Sequence, residues 1–120
     1  MKAININGSE DPFTDLILAG IKTIETRNTK SLKSLVGQRV GIISTHKKRK
    51  ALLVGYVNIV KEIKYNNEEE FRADYLRHRV IPGGKYDIKK EGVKYGYVLS
   101  NPQKCDPIVI KAKGIVIRNI

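Results

Sequence analysis

The chain has 120 residues, 41% hydrophobic and 29% charged, which indicates one globular domain over residues 1–120, and no apolar run approaches the ~20 residues that crossing a membrane requires. Its 23 lysines and arginines against 12 acids give a net charge of +11, which favours a polyanionic partner, although a high pI also serves solubility alone. One cysteine, Cys105, excludes an internal disulfide, and without zinc-spaced Cys or His residues we predict no metal and no cofactor.

The N-terminal residues alternate like a β-strand, which we place at Lys2–Ile6. They lack the apolar block and cleavage site of a signal peptide, so we expect a soluble, cytoplasmic protein without membrane contacts. A helix of about two turns follows, with Asp11 as its N-cap and Pro12 at its first helical position. Gly20 is expected to end this helix.

The next strand, Lys22–Arg27, carries acid and base on alternate positions. Alternation places Ile24 on one side and Glu25 and Arg27 on the other, so that only Ile24 is expected in the core.

A β-hairpin is predicted in the centre of the chain. The apolar run Arg39–Thr45 indicates a strand buried on both faces, and Ala51–Ile63 is a long β-rich stretch with a bend or bulge at Gly55. The basic loop His46–Lys50 joins the two strands.

The second half of the chain begins with a helix capped by Asn67 and broken by Ile81–Gly84. An irregular segment, Lys85–Lys94, follows. Three short strands are then predicted at Tyr95–Ser100, Ile108–Ile110 and Ile115–Ile117. The order of elements never settles into strand–helix–strand units, which favours an α+β fold built on a small, mostly antiparallel β-barrel with helices plugging its openings.

Three segments together resemble the ASCH domain, a family of the PUA-like superfamily. They are Gly20–Arg27, Leu35–Ile42 and Gly96–Pro102, and the similarity extends over most of the chain in order. The resemblance implies a PUA-like β-barrel plugged by two or three helices. It also implies a cleft between the Lys22–Arg27 strand and the helices. In the family, this cleft is proposed to accept RNA or a nucleotide.

The family also includes enzymes. Some bacterial members hydrolyse the amide of N4-acetylcytidine, and ribonuclease activity has been attributed to others. In the hydrolases the lysine corresponding to Lys22 acts with a threonine three residues further on and with a later glutamate. Glu25 occupies the threonine position here, and the later glutamate has no assigned counterpart. We therefore favour a binding module, with Lys22 and Glu25 catalytic only if the protein is an enzyme.

For the binding hypothesis, the central residues are Lys22, Glu25 and Arg27. Arg27 can donate two parallel hydrogen bonds to a phosphate, Lys22 adds a compact charge, and Glu25 can accept from a base amino group. The alternative is a surface ion pair between neighbours on a strand, which contributes little.

Further candidates follow from their position beside this strand or from their charge. The remaining predicted ligand-binding residues are Ser44, Thr45, His46 and Tyr97. The predicted contacts to a nucleic-acid backbone are Lys47, Lys48, Arg49, Lys50, Arg72, Arg77 and Arg79. Each group also has a purely structural interpretation. Residues 44–46 could simply begin a turn, Tyr97 could pack in the core, and the basic residues could lie on solvent-exposed faces. The predicted partner is RNA or a nucleotide, and no protein partner is indicated.

Overall fold

Six strands and three short α-helices make up the computed structural model, which describes residues 1–120. The strands are β1 (Lys2–Asn7), β2 (Ile24–Arg27), β3 (Arg39–His46), β4 (Arg49–Tyr65), β5 (Lys94–Ile110) and β6 (Ile117–Asn119). The helices are α1 (Phe13–Leu18), α2 (Glu68–Ala73) and α3 (Tyr75–His78), with a 3-10 turn at Lys33–Leu35. The chain is therefore α+β, as the order of predicted elements indicated. None of its helices has the length and apolar sequence needed to cross a membrane.

The strands form one mixed sheet in the order β2-β5-β4-β3-β1-β6. All neighbours are antiparallel except β1 and β3. The predicted closed barrel is not confirmed, because β2 and β6 are the two ends of the sheet. The sheet nevertheless bends back on itself, since Arg27 on β2 donates a hydrogen bond to the backbone oxygen of Asn5 on β1. The side of the molecule between β2 and β1 stays open.

The long hairpin of β4 and β5 produces this curvature. Its ladder shifts register at three places between Leu53 and Lys61, and such bulges bend a strand and increase its twist. Gly55 lies at one of them, where an added Cβ would be 2.5 Å from the backbone oxygen of Gln103. The predicted bend at Gly55 is therefore confirmed, and the close approach of β5 explains why a side chain does not fit there.

Several predicted boundaries were wrong. Strand β5 does not end at Ser100 but continues past Pro102. Strand β2 pairs only with Tyr95–Val98, so that edge of β5 is free at Pro102, and the missing N–H of the proline costs no hydrogen bond between strands. The second predicted helix is two helices, α2 and α3, interrupted at Asp74. Helix α1 begins at Phe13 with Pro12 as its cap and without a side-chain cap from Asp11, whereas Asn67 accepts the Glu70 N–H at 2.9 Å as predicted.

The main core contains 16 buried residues. It joins the inner faces of β1, β3, β4 and β5 to one face of α1 and to Phe71 of α2. Helix α1 is too short to be stable alone and is held by burial of Phe13 and Ile17. This packing places Phe13, at the start of α1, on the open side of the sheet, and Leu18, at its end, against Gly55 of β4.

Candidate ligand-binding cleft

A cleft of about 570 Å³ lies on the open side of the sheet, where β2 faces β1. Its charged residues are three cations, Arg27, Lys94 and Lys113, and one carboxylate, Glu25. Two aromatic side chains, Phe13 and Tyr86, line it as well, with ring centroids 5.5 Å apart in an edge-to-face arrangement. The volume is in the range of small-molecule sites, and the lining combines apolar walls with a few polar groups.

The turn after α1 directs Lys22 into the protein. Gly20 has a φ of 75°, a left-handed conformation that favours glycine, and it ends the helix as predicted. The backbone N–H groups of Ile21 and Lys22 then both donate to the oxygen of Leu16. This tight reversal sends the Lys22 side chain under β2, where it is fully buried.

The Lys22 ammonium lies below the cleft and does not line it. Its Nζ donates to the backbone oxygen of His78 at 2.5 Å and lies 4.4 Å from the centre of the Phe13 ring. Burial lowers the pKa of Lys22, and the nearby Glu25 carboxylate opposes this shift. Lys22 therefore supports the floor of the cleft and has no surface with which to contact a ligand in this conformation.

Glu25 lies between two cations. Its Oε1 is 3.7 Å from Lys22 Nζ, and its Oε2 accepts from Arg27 Nε at 3.1 Å and is 3.0 Å from Arg27 Nη2. The carboxylate is buried, so the ion pairs are screened less than surface pairs are. Alternation placed Glu25 and Arg27 on one side correctly, whereas the expectation that only Ile24 would be buried was wrong for Lys22 and Glu25.

Arg27 is held from two directions. Glu25 fixes one side of its guanidinium, and Nη2 also donates to the backbone oxygen of Asn5 at 3.0 Å. Its side chain keeps 19% of its surface exposed at the cleft. Arg27 is therefore both the contact between the two sides of the open sheet and an oriented donor on the cleft wall.

Lys94, at the start of β5, is a residue that sequence reasoning missed. It is only 3% exposed, it lines the cleft, and it has no hydrogen bond and no carboxylate within 4.0 Å, while its Nζ lies 6.0 Å from the centre of the Phe71 ring. Burial lowers the pKa of Lys94, against the more distant attraction of Glu25. The sequence pattern assigns Lys94 to the end of an irregular segment. The sequence held no signal for it, because alternation places Lys94 and Tyr97 on opposite faces of the strand and a lysine that ends a polar segment is expected to be solvated.

Of the other predicted ligand-binding residues, only Thr45 lines the cleft. Ser44 is buried, and its hydroxyl accepts from Arg49 Nη2 at 3.0 Å. His46 lies in the hairpin turn, where Nδ1 accepts the Lys48 N–H. Tyr97 lies in the core rather than in the cleft, because its hydroxyl donates to Glu62 at 2.8 Å and accepts from the N–H of Leu32. These bonds satisfy the phenol inside the protein.

The predicted nucleic-acid contacts fall into two groups. Residues 47–50 are exposed at the turn between β3 and β4, next to Thr45 at one end of the cleft. The three other arginines, in α2, in α3 and directly after α3, do not line the cleft and already have partners. Arg72 pairs with Glu68 and Asp87, Arg77 pairs with Asp74, and Arg79 Nε donates to the backbone oxygen of Leu76.

His78 supports the cleft from behind through a fixed set of hydrogen bonds. Its Nδ1 accepts the Val80 N–H at 2.9 Å, its Nε2 is 2.6 Å from the oxygen of Phe71 and donates to it, and its own backbone oxygen accepts from Lys22. This arrangement requires the neutral imidazole, and burial accordingly lowers the pKa of His78 from 6.5.

The protein should therefore lose stability as the pH falls below 6.5. Because the pKa of His78 is lower in the folded state, the unfolded chain binds more protons in this range, and the free energy of unfolding falls as the pH falls. Urea denaturation at several pH values between about 7.5 and 5 measures this effect, with His78→Asn and His46→Asn as the matched pair of variants. The pH dependence should disappear only in His78→Asn, and its persistence there would contradict the assignment.

The residues around the cleft offer no metal site, since no three His, Cys, Asp or Glu side chains lie close enough to hold an ion. The cleft on the open side of the curved sheet brings together three cations and one carboxylate beside two aromatic side chains.

Comparison with known proteins identifies the fold. No protein-family model and no curated protein matches the sequence. Among solved structures, the chain resembles the ASCH protein of Zymomonas mobilis with a TM-score of 0.68 and 17% identity, over 91% of this chain and 73% of that protein. Two substitution mutants of the same protein each match with a TM-score of 0.69. One mutant is 17% identical, over 90% of this chain and 72% of that protein, and the other is 19% identical, over 91% of this chain and 75% of that protein. The chain therefore has the fold of this ASCH protein, in agreement with the ASCH resemblance of the sequence motifs.

Proposed function

We propose that the protein binds RNA, through a nucleotide held in the cleft. The observation that carries the proposal is Lys94, a nearly buried lysine that lines the cleft without a hydrogen bond or an ion pair and with only the Phe71 ring, 6.0 Å away, beside its ammonium. A buried charge of this kind is costly unless a ligand pairs with it. Arg27 presents an oriented guanidinium on the same cleft, so the two cations suit a phosphate or a base carbonyl.

The rest of the lining fits the other parts of a nucleotide. Tyr86 is partly exposed and offers ring surface for a base, and Asn7 and Asn28 can supply amide groups for its polar edge. The basic turn at residues 47–50 and the net charge of +11 favour a polyanion over a free nucleotide.

The same geometry supports binding more than catalysis. The hydrolase hypothesis needs Lys22 at the substrate, but this side chain is 0% exposed and donates to His78. It also needs a second glutamate, and Glu25 is the only carboxylate among the residues lining the cleft. Glu62, a glutamate later in the chain, accepts a hydrogen bond from Tyr97, which lies in the core.

Arg27→Ala should weaken RNA binding at least tenfold, because it removes an oriented cation from the cleft and frees Glu25 from its main partner. Fluorescence anisotropy with labelled single-stranded and duplex RNA at increasing salt measures this. Removing one phosphate-binding cation should reduce the salt slope by about 0.7 for a single strand. Arg39→Ala is the matched control, since Arg39 has three hydrogen bonds to residues outside the cleft.

Two results would contradict the proposal. One is the absence of RNA binding at low salt, and the other is an equal loss in Arg27→Ala and Arg39→Ala. Release of cytidine from N4-acetylcytidine by the wild type, abolished in Lys22→Met, would replace binding with amide hydrolysis.

A further inference from the structure

A second depression, of about 330 Å³, lies beside the cleft. It is lined by Lys50, Ala51, Val109, Ile110, Lys111 and Ala112. Ala112 lines both the second depression and the cleft, and Lys113, the next residue, belongs to the cleft. The two concave surfaces are therefore continuous across one residue of the chain.

The lysines of the second depression are brought together by the β4–β5 hairpin. Ala51 pairs with Ile110, which places Lys50 and Lys111 at the same end of the ladder. With Lys113 they form a basic path that leads from the second depression into the cleft. All three lysines are exposed, and none of them forms an ion pair.

The segment between the two surfaces is held in place by side chains from β1 and β6. Asn5 Nδ2 donates to the backbone oxygens of Lys113 at 2.9 Å and Ile115 at 2.6 Å. Arg118 Nη1 donates to the backbone oxygen of Lys111 at 2.5 Å. The spacing between the cleft and the second depression is therefore set by the fold.

The chemistry of the second depression matches a nucleotide unit. Its floor is aliphatic, with Val109 58% exposed, its only charged residues are the two lysines, and no carboxylate lines it. A sugar or base can cover the aliphatic floor while a phosphate contacts the lysines. A paired duplex cannot place one base in the cleft and the neighbouring one here without opening, whereas a single strand can.

Resting on the proposed function, we infer that the second depression binds the nucleotide adjacent to the one in the cleft, with Lys50 and Lys111 on its phosphate. The partner is then a single-stranded RNA segment of at least two nucleotides. The cleft selects the nucleotide, and the lysine path supplies affinity that does not depend on sequence.

Isothermal titration calorimetry with the four ribonucleoside 5′-monophosphates and with the four homopentanucleotides tests this. Wild type should bind the best pentanucleotide at least tenfold more tightly than its mononucleotide. Lys50→Ala/Lys111→Ala should remove most of that gain, lower the salt slope by about 1.4, and change mononucleotide affinity less than twofold. Lys33→Ala/Lys61→Ala is the control of equal charge, because neither residue lines either surface and neither has an ion pair.

The outcomes separate the inference from the proposed function. The inference fails if mononucleotides bind but pentanucleotides bind no more tightly. It also fails if the control variant loses as much pentanucleotide affinity as Lys50→Ala/Lys111→Ala. In both cases the cleft can still be the nucleotide site. If pentanucleotide binding depends on the two lysines but not on Arg27, the cleft is not the nucleotide site and the proposed function fails. Equal or tighter binding of a duplex of the same sequence overturns the single-stranded partner, and no binding of any probe overturns both.

Discussion

Lys94→Met should make the protein more stable and at the same time weaken its binding of RNA at least tenfold. The lysine is almost fully buried and has no hydrogen bond or ion pair, with only the Phe71 ring 6.0 Å from its ammonium, so its charge costs free energy in the folded state without a ligand. Replacing such a charge with an apolar side chain of similar volume should stabilise the protein by about 1 kcal/mol or more, which raises the melting temperature by roughly 3–6 °C.

The pH dependence of this gain has a defined sign. Burial lowers the pKa of Lys94 below 10.5, so the unfolded chain binds more protons than the folded one as the pH approaches 10.5 from below. The advantage of Lys94→Met should therefore be largest near neutral pH and shrink as the pH rises to 10.5. Differential scanning calorimetry at several pH values measures it alongside RNA anisotropy.

Lys61→Met is the control for Lys94→Met. Lys61 is exposed on β4 and lies outside the cleft, so its replacement should change the free energy of unfolding by less than about 0.5 kcal/mol. A melting temperature that falls in Lys94→Met would mean that the ammonium has a stabilising partner. Unchanged RNA affinity would mean that no ligand uses it. A rise in stability with loss of affinity is the pattern of a binding site that trades stability for function.

The elements that could be predicted from the sequence are those that neighbouring residues determine, such as helix caps and hairpins. Gly20 ends α1 because the left-handed position suits glycine, and Asn67 caps α2 through its side chain. The β3–β4 hairpin follows from two apolar runs around a basic turn. The resemblance to the ASCH fold came from the order of three motifs, but the closed barrel predicted with it is not confirmed, because β2 and β6 are the unpaired ends of the sheet.

The cleft was harder to predict because its residues are distant in sequence. Asn5, Arg27, Lys94 and Lys113 meet only when the hairpin bends the sheet and brings β2 to β1. Alternation placed Glu25 and Arg27 on one side of β2, but it could not show that the turn at Gly20 buries Lys22. The number of basic residues could not show that the arginines in α2, in α3 and directly after α3 already have partners. Arg72 and Arg77 pair with nearby acids, and Arg79 donates to a backbone oxygen.

Glu25→Gln should destabilise the protein by about 3–5 kcal/mol, because it leaves the Lys22 charge buried without a counterion. Arg27 is affected less, since its side chain remains partly exposed and still donates to Asn5. Urea denaturation gives the free energy of unfolding. Glu62→Gln is the matched control, because it changes a partly buried carboxylate that accepts one hydrogen bond from Tyr97, and it should cost only about 1–2 kcal/mol.

Adding Lys22→Met to Glu25→Gln decides whether this charge pair is the cause. If the destabilisation comes from an uncompensated ammonium, the double variant should recover most of the stability, and the coupling energy between the two positions should exceed about 1 kcal/mol. Additive effects would instead mean that the carbonyl of His78 satisfies the Lys22 ammonium without Glu25. Coupling together with retained RNA binding in Lys22→Met would identify Lys22 as the residue that positions Glu25 and Arg27, and would exclude it as a ligand contact.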